Sequence, residues 1–286
     1  MREHRAGNRA CSRITKNHPP FDTVTKSSYE WRRMCVPDAS AGPKSSAARD
    51  GKPARYRWLL FDADGTLFDY ERAEAAALCQ AFRLIGVAYE PGWLAAYRGI
   101  NQALWQALER GEITPGALKV RRFEMLLTAV GVVHPAAELS GIYLDCLAAC
   151  PELMDGAEDV LRGLHGKYRL AIVTNGLQVV QRGRLARSAI RDCIAELIIS
   201  EEIGAAKPAR EFFDTAFLRL GLPRREQVLM IGDNWTSDIE GAARYGLDTC
   251  WFNPARQPRP ASPAITVEIA SLRDLPEWLS GRRDAG

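Results

Sequence analysis

The sequence predicts an α/β protein: a doubly wound, Rossmann-like parallel sheet with an inserted α-helical domain. Three observations carry this expectation. Six short apolar runs rich in Leu, Ile and Val recur between residues 58 and 267, without the polar alternation of a half-exposed strand; strands buried on both faces of a parallel sheet look like this. Amphipathic segments separate the later runs, so strand alternates with helix. Between the first and second runs the rhythm breaks, and residues 71–150 carry helical segments with no convincing strand.

In chain order, residues 1–55 come first. They are rich in Ser, Pro, Arg and Ala, have no periodicity, and are expected to form a disordered basic extension. They hold twelve Lys and Arg against five Asp and Glu, a balance of +7, which leaves −4 for residues 56–286 out of the chain total of +3. The basic character therefore belongs to the extension, which shows no apolar core of a secretory signal. We expect it to be dispensable for activity.

The predicted strands are Trp58–Phe61, Leu170–Thr174, Leu197–Ile199, Val228–Ile231, Thr249–Phe252 and Ile265–Val267. Helices are predicted over Ala157–Leu164, Val179–Ala189, Glu211–Leu220 and Ile239–Tyr245; Gly166, Gly221 and Gly246 follow three of them, where a helix C-terminus favours glycine. The insert reads as four helices, Glu71–Ile85, Pro91–Glu109, Pro115–Val130 and Pro135–Cys150, with Thr114 as an N-cap before Pro115. The expected organisation is thus a core of residues 56–70 and 151–280, a helical domain of 71–150, and a flexible end at 281–286. No apolar run approaches the roughly 18 residues of a membrane helix, and seven cysteines without a CxxC pair suit free thiols in a reducing, cytoplasmic setting.

Four of these strands run into polar motifs, at the end of an open α/β sheet where ligands bind. The first is Asp62-Ala63-Asp64-Gly65-Thr66. Two carboxylates this close repel unless one is protonated or a cation lies between them, and a hard divalent ion such as Mg²⁺ fits oxygen ligands of this kind. The second is Thr174-Asn175-Gly176, whose hydroxyl, amide and backbone N–H suit phosphate oxygens. The third is Ala206-Lys207-Pro208, which offers a compact positive charge, and the fourth is Gly232-Asp233-Asn234, continuing to Ser237-Asp238. Each motif alone has an ordinary reading as a turn, a cap or a solvated side chain; their joint occurrence at successive strand ends does not.

DxDGT, TNG, AKP and GDxxxSD in this order resemble the haloacid dehalogenase-like phosphohydrolases, from Trp58 to about Leu279. The resemblance implies that Asp62 is a nucleophile forming an aspartyl-phosphate and that Asp64 is the general acid and base. It further implies Mg²⁺ held by Asp62, Asp64 through its backbone carbonyl, and Asp233. Thr174, Asn175, Gly176 and Lys207 would bind the phosphoryl group, and Asp238 would orient a metal-bound water or pair with Lys207. Members that cleave carbon–halogen bonds lack the second acid, so Asp64 favours phosphate esters.

In this family the helical insert is a cap over the active site. Ile100–Trp105, Glu109–Thr114, Arg121–Phe123, Ile198–Gly204 and Thr249–Asn253, with Leu67-Phe68, look like the bacterial pyrimidine 5′-nucleotidases with a helical cap. Those relatives often carry Glu where this chain has Gly65. The implied substrate is a small phosphomonoester, a pyrimidine (deoxy)nucleoside 5′-monophosphate, with Asn101, Trp105, Arg122 and Phe123 as candidate contacts. Trp105 and Phe123 could stack a base, and Asn101 or Arg122 could bond its edge; Trp105 and Phe123, with Leu104, also suit plain packing. Phosphoglycolate or a sugar phosphate is the alternative substrate class. A non-catalytic nucleic-acid-binding protein using the basic extension is the alternative of another kind, though neither a membrane nor a nucleic acid is the expected partner. The sequence leaves monomer and homodimer open.

Overall fold

The computed structural model describes residues 55–262 and 265–281; the extension and the last five residues, for which disorder and flexibility were expected, lie outside the described residues. Six parallel strands form one sheet: β1 (Trp58–Phe61), β2 (Arg169–Thr174), β3 (Ile194–Ile199), β4 (Val228–Gly232), β5 (Asp248–Phe252) and β6 (Val267–Ile269). Their order across the sheet is β3-β2-β1-β4-β5-β6. The chain moves outward from β1 through β2 to β3, then returns to the other side of β1 for β4. The order therefore reverses between β1 and β4, and the crevice at such a reversal is where open α/β sheets bind ligands.

Successive residues of β1 serve opposite faces, as the strand period of two requires. Leu59 and Phe61 join one apolar layer with Val160, Leu161 and Leu164; Trp58 and Leu60 join the other with Phe212, Phe213 and Phe217. The covering helices, numbered with those of the insert, are α5 (Ala157–Leu164), α6 (Gln178–Arg187), α7 (Ser200–Ile203), α8 (Arg210–Arg219), α9 (Gly241–Tyr245) and α10 (Leu275–Leu279). Residues 235–240, expected to enter an ordinary helix at Ile239, instead form a π-helical turn that leads into α9. The sixth strand lies two residues beyond its expected place. It is an edge strand marked by alternation, Ile265-Thr266-Val267-Glu268-Ile269, with Glu268 exposed and Ile269 buried.

The insert comprises α1 (Tyr70–Leu84), α2 (Gly92–Glu109), α3 (Pro115–Val130) and α4 (Ala136–Ala148). Asp69 caps α1 by accepting from the N–H of Arg72 at 3.1 Å, and Thr114 caps α3 by accepting from Ala117 at 3.2 Å. The four helices enclose their own core, in which Ala73, Ala77 and Phe82 of α1 meet Tyr97, Phe123, Leu126, Leu139 and Tyr143. The chain crosses between this bundle and the sheet twice, and the crossings pair: the N–H of Asp69 donates to the carbonyl of Glu152 at 3.1 Å, and that of Met154 to Leu67 at 2.9 Å. No helix among the described residues is long and apolar enough to span a membrane.

Phe123 is fully buried, with ring centroids 5.6 Å from Tyr97 and 5.2 Å from Tyr143. It packs the bundle and presents no face to a base, because its spacing from Leu126 and Leu127 is that of one buried helix stripe. Truncation by Phe123→Ala should therefore cost about 3–5 kcal/mol of stability in urea unfolding. A folded Phe123→Leu variant should keep its KM; a selective rise in KM would make the ring a substrate contact.

Candidate active site

The site is assembled on one nitrogen. Lys207, in the loop between α7 and α8, is 1% exposed, and its Nζ donates to Asp62 Oδ1 at 2.6 Å, Asp238 Oδ1 at 2.7 Å and the carbonyl of Val173 at 2.7 Å. All three ammonium protons are thereby used. Burial opposes the charge, but Asp238 and then Asp62 overcome that penalty and hold the ammonium above its ordinary range. Asn175 fixes the loop that delivers Lys207: its Nδ2 donates to the Lys207 carbonyl and its Oδ1 accepts from the Lys207 N–H, both at 2.8 Å.

Asp62 leaves the end of β1, its N–H donating to the Ile231 carbonyl of β4 at 2.8 Å. Burial pushes its carboxyl well above the usual range; Lys207 opposes this, while Asp238 and Asp233 add to it. Asp233 follows β4 and is raised to about 6, first by burial and then by the charge of Asp238. Three fixtures hold Asp233: Thr66 Oγ1 donates to its Oδ1 at 2.9 Å, Thr66 Oγ1 accepts from its N–H at 3.1 Å, and Trp251 Nε1 donates to its carbonyl at 3.0 Å. Gly65 allows the approach. Its φ is +86°, and a Cβ there would stand 2.6 Å from Asp233 Oδ2, which explains why this chain has no side chain at the position.

Carboxylate oxygens of Asp62, Asp233 and Asp238 lie within 4.8 Å of one another. Distance alone would make Asp238 a third ligand, but most of its accepting capacity is used. Its Oδ1 accepts from Lys207 and from Ser237 Oγ at 3.2 Å, and its Oδ2 accepts from the N–H of Asn234 at 3.1 Å. Asp62 and Asp233 are the acids with more oxygen capacity left for a cation, and Asp238 is the anchor of Lys207.

Several expected contacts are arranged differently from the sequence reading. The Asn175 amide, expected to meet phosphate, is occupied by the Lys207 backbone, and the Gly176 N–H donates to Thr174 Oγ1 at 3.0 Å. Asn101 and Arg122 are buried within the helical bundle and bonded to each other, Arg122 Nη1 donating to Asn101 Oδ1 at 3.3 Å. Trp105 alone of the four candidate contacts lines the large cleft, a space of about 880 Å³ whose walls include Trp105, Leu108 and Ile113 of the insert and Asn175, Gly176 and Lys207 of the sheet side. Lys119 of α3 and Glu201 of α7 join the two sides at 2.5 Å.

Sequence reasoning passed over Thr66, Gln181, Arg184 and Trp251. Gln181 Nε2 donates to Asp64 Oδ2 at 2.6 Å, and Arg184 Nη1 donates to Asp64 Oδ1. Their burial belongs to the fold; the sequence offers only two polar residues three apart on α6 and no sign of the contact they make.

Breaking the central ion pairs should be costly. Asp238→Ala leaves Lys207 buried with one carboxylate instead of two, and we expect a loss of about 3–5 kcal/mol in urea unfolding carried out in EDTA. A change below about 1 kcal/mol would show that Asp62 alone satisfies the lysine.

The haloacid dehalogenase-like hydrolase family model matches residues 56–246. The putative HAD-hydrolase YfnB of Bacillus subtilis is 38% identical over 221 residues, 77% of this chain and 94% of that protein. Its magnesium-bound crystal structure superposes with a TM-score of 0.73, covering 79% of this chain and 99% of that one. The pyrimidine 5′-nucleotidase YjjG of Escherichia coli is 34% identical over 225 residues (79% and 98% covered), and the pyrimidine 5′-nucleotidase PynA of Streptococcus pneumoniae 35% over 225 residues (78% and 95%). An L-2-haloacid dehalogenase from Xanthobacter autotrophicus, 18% identical with a TM-score of 0.63, shares the fold. With four motifs converging on one crevice and a second acid after the first, the chain belongs to the haloacid dehalogenase-like hydrolases, as a phosphate-ester hydrolase of that family.

Proposed function

We propose that the protein is a Mg²⁺-dependent 5′-nucleotidase that works through an aspartyl-phosphate and prefers pyrimidine (deoxy)nucleoside monophosphates. The observation that carries the chemistry is Asp62. It is 8% exposed at the strand end, one carboxylate oxygen is held by Lys207, and Asp233 stands beside it. Fixing Oδ1 orients the carboxylate so that Oδ2 can be presented to phosphorus, which places the attacking atom before the reaction begins.

The donor set suits a hard divalent cation: the buried carboxylate of Asp62 and the half-buried one of Asp233, both disfavoured in their charged form by desolvation and by neighbouring acids, with a left-handed glycine making room for Asp233. Asp62 and Asp233, with the backbone carbonyl of Asp64, would hold it. When bound, such an ion neutralises charge on the phosphoryl oxygens and on the acids around them.

The remaining steps belong to the chain. Asp62 Oδ2 bonds to phosphorus as the bond to the leaving oxygen breaks, and Asp64 gives that oxygen its proton, releasing the alcohol. Asp64, now ionised, takes a proton from water as the water oxygen bonds to phosphorus. The Asp62–phosphorus bond breaks, phosphate leaves, and both acids return to their starting forms. Lys207 contributes its fixed charge to the equatorial oxygens throughout. Dividing hydrolysis in this way lets one carboxyl serve as acid and then as base.

The cleft supports a nucleoside as the group that leaves. It adjoins the site at Asn175 and Lys207, while Asp62, Asp64 and Asp233 are not among its lining residues, and it extends to Trp105 with the size that small-molecule sites have. Relatives named pyrimidine 5′-nucleotidase match nearly their whole length. Others are named glyceraldehyde 3-phosphate phosphatase, at 30% identity over 225 residues and 39% over 199, and ribulose-1,5-bisphosphate 5-phosphatase, at 29% over 209, so substrate choice is settled by measurement.

Phosphate release from dUMP, dTMP, UMP, AMP, phosphoglycolate, glyceraldehyde 3-phosphate and hexose phosphates should show the highest kcat/KM for the pyrimidine nucleotides, and a preference for a three-carbon or sugar phosphate would overturn the substrate. Asp62→Asn should abolish turnover in a folded protein; retained Mg²⁺-dependent release would remove the nucleophile. EDTA should stop the reaction and Mg²⁺ restore it, with Asp233→Asn requiring at least about tenfold more Mg²⁺ for half-maximal rate; full activity in EDTA would exclude the metal.

A further inference from the structure

We propose that Gln181 and Arg184 are positioning residues: a clamp on α6 that sets the direction of the Asp64 carboxylate and so decides which leaving groups the enzyme expels efficiently. The inference rests on the acid–base reading of Asp64 above.

The two side chains are 1% and 0% exposed, and each takes one oxygen of the same carboxylate, Gln181 Nε2 on Oδ2 at 2.6 Å and Arg184 Nη1 on Oδ1. Residues three apart share a helix face, which lets one helix hold both oxygens. Fixing both oxygens fixes the plane of the carboxylate as well as its place.

Arg184 is itself fixed. Its Nε donates to the carbonyl of Cys150 at 3.0 Å, and its Cζ lies 4.4 Å from the centroid of the Phe68 ring. Phe68 belongs to the first crossing between sheet and helical bundle, and Cys150 opens the second. The guanidinium therefore references Asp64 to both connections at once. Gln181 owes its place to the second motif: a Cβ on Gly176 would stand 2.3 Å from its Nε2. That glycine makes room for the amide that reaches Asp64.

A guanidinium removed from water requires a counter-charge, and Asp64 is the only carboxylate paired with Arg184 among the described residues. The Asp64 side chain is 28% exposed, so the pair ties a fully buried guanidinium to an accessible carboxylate next to the nucleophile's strand end. Charge neutralisation needs only the Arg184 contact; the Gln181 amide, which carries no charge to be neutralised, holds the second oxygen as well.

Direction matters most where the leaving oxygen is strongly basic. An alkoxide needs a proton as it departs, and a misdirected acid cannot deliver it. A nitrophenolate leaves without one. Because kcat/KM reports the steps up to release of the leaving group, comparing two esters separates proton delivery from attack by Asp62.

The test measures kcat/KM on 4-nitrophenyl phosphate and on the best alkyl phosphate of the substrate panel, for the unmodified protein, Asp64→Asn, Gln181→Leu and Arg184→Lys. Thermal melting verifies that each variant is folded. The near-isosteric Gln181→Leu removes one donor, and Arg184→Lys keeps the charge while losing the fork, so the two variants fail independently. We expect Gln181→Leu and Arg184→Lys to lose at least about tenfold more on the alkyl ester than on the aryl ester, in the same sense as Asp64→Asn. Equal losses on both esters, or none, would overturn the clamp and leave Arg184 a structural ion pair. If Asp64→Asn itself fails to discriminate, the acid–base reading falls and takes the clamp with it; if Asp64→Asn discriminates and neither clamp variant does, the clamp alone falls.

Discussion

The ammonium of Lys207 is the point on which the site depends. Its three acceptors come from the ends of three adjacent strands: Asp62 beyond β1, the Val173 carbonyl of β2, and Asp238 in the π-helical turn after β4. One buried cation therefore sets the relative height of the strand ends that carry the chemistry. A buried charge is tolerated only when fully paired and hydrogen-bonded, so the loop must deliver the lysine to one place. The two hydrogen bonds from Asn175 to its backbone do that. Asn175 is thus a positioning group for Lys207.

Placing so many polar groups in one crevice requires space, and the motif glycines supply it by pairs. The Gly65 position accommodates Asp233, and a Cβ at Gly232 would stand 2.3 Å from Asp238 Oδ2. The carboxylate made room for lies in another motif in the first case and in the same motif in the second. The consequence is mutual dependence: a side chain at a glycine would displace an acid that holds either the cation site or the lysine. Burial then does the electrostatic work. It raises Asp62 and Asp233 together, an arrangement unfavourable on its own and relieved by positive charge, so the crevice is prepared for a cation and for the charge of a phosphoryl group.

The sheet and its motifs were legible because their signals are local. A buried strand such as Val228–Gly232 is a run of apolar residues, and the polar group that ends it follows in the next position. Interactions across long separations left no such mark. Nothing near Asp64 in the sequence announces Arg184, 120 residues away, and nothing near Phe123 distinguishes a packed ring from one that stacks a base. The same limit explains Asn175. Its type suits phosphate and suits a backbone clasp equally, and only the position of Lys207, 32 residues on, decides between them. At the sheet edge, Ile265-Thr266-Val267-Glu268-Ile269 alternates throughout, so its pattern marks a strand without fixing which three residues pair with β5.

The helical insert is connected to the chemistry by more than its two crossings. Lys119 pairs with Glu201, and Glu201 also accepts from the N–H of Gln178 at 2.7 Å, the first residue of the helix that carries Gln181 and Arg184. Arg184 in turn contacts the Cys150 carbonyl at the far end of the insert. The start of α6 is thus bound to α3 through a carboxylate, and its second turn to the second crossing through a guanidinium. A rigid-body shift of the insert would be felt by α6 at both places, and α6 holds both oxygens of Asp64. The carboxylate of Asp64 is therefore held by a helix that is itself tied to the insert at two places. Directional polar contacts fix the orientation of α6 relative to the insert in a way that packing alone would not.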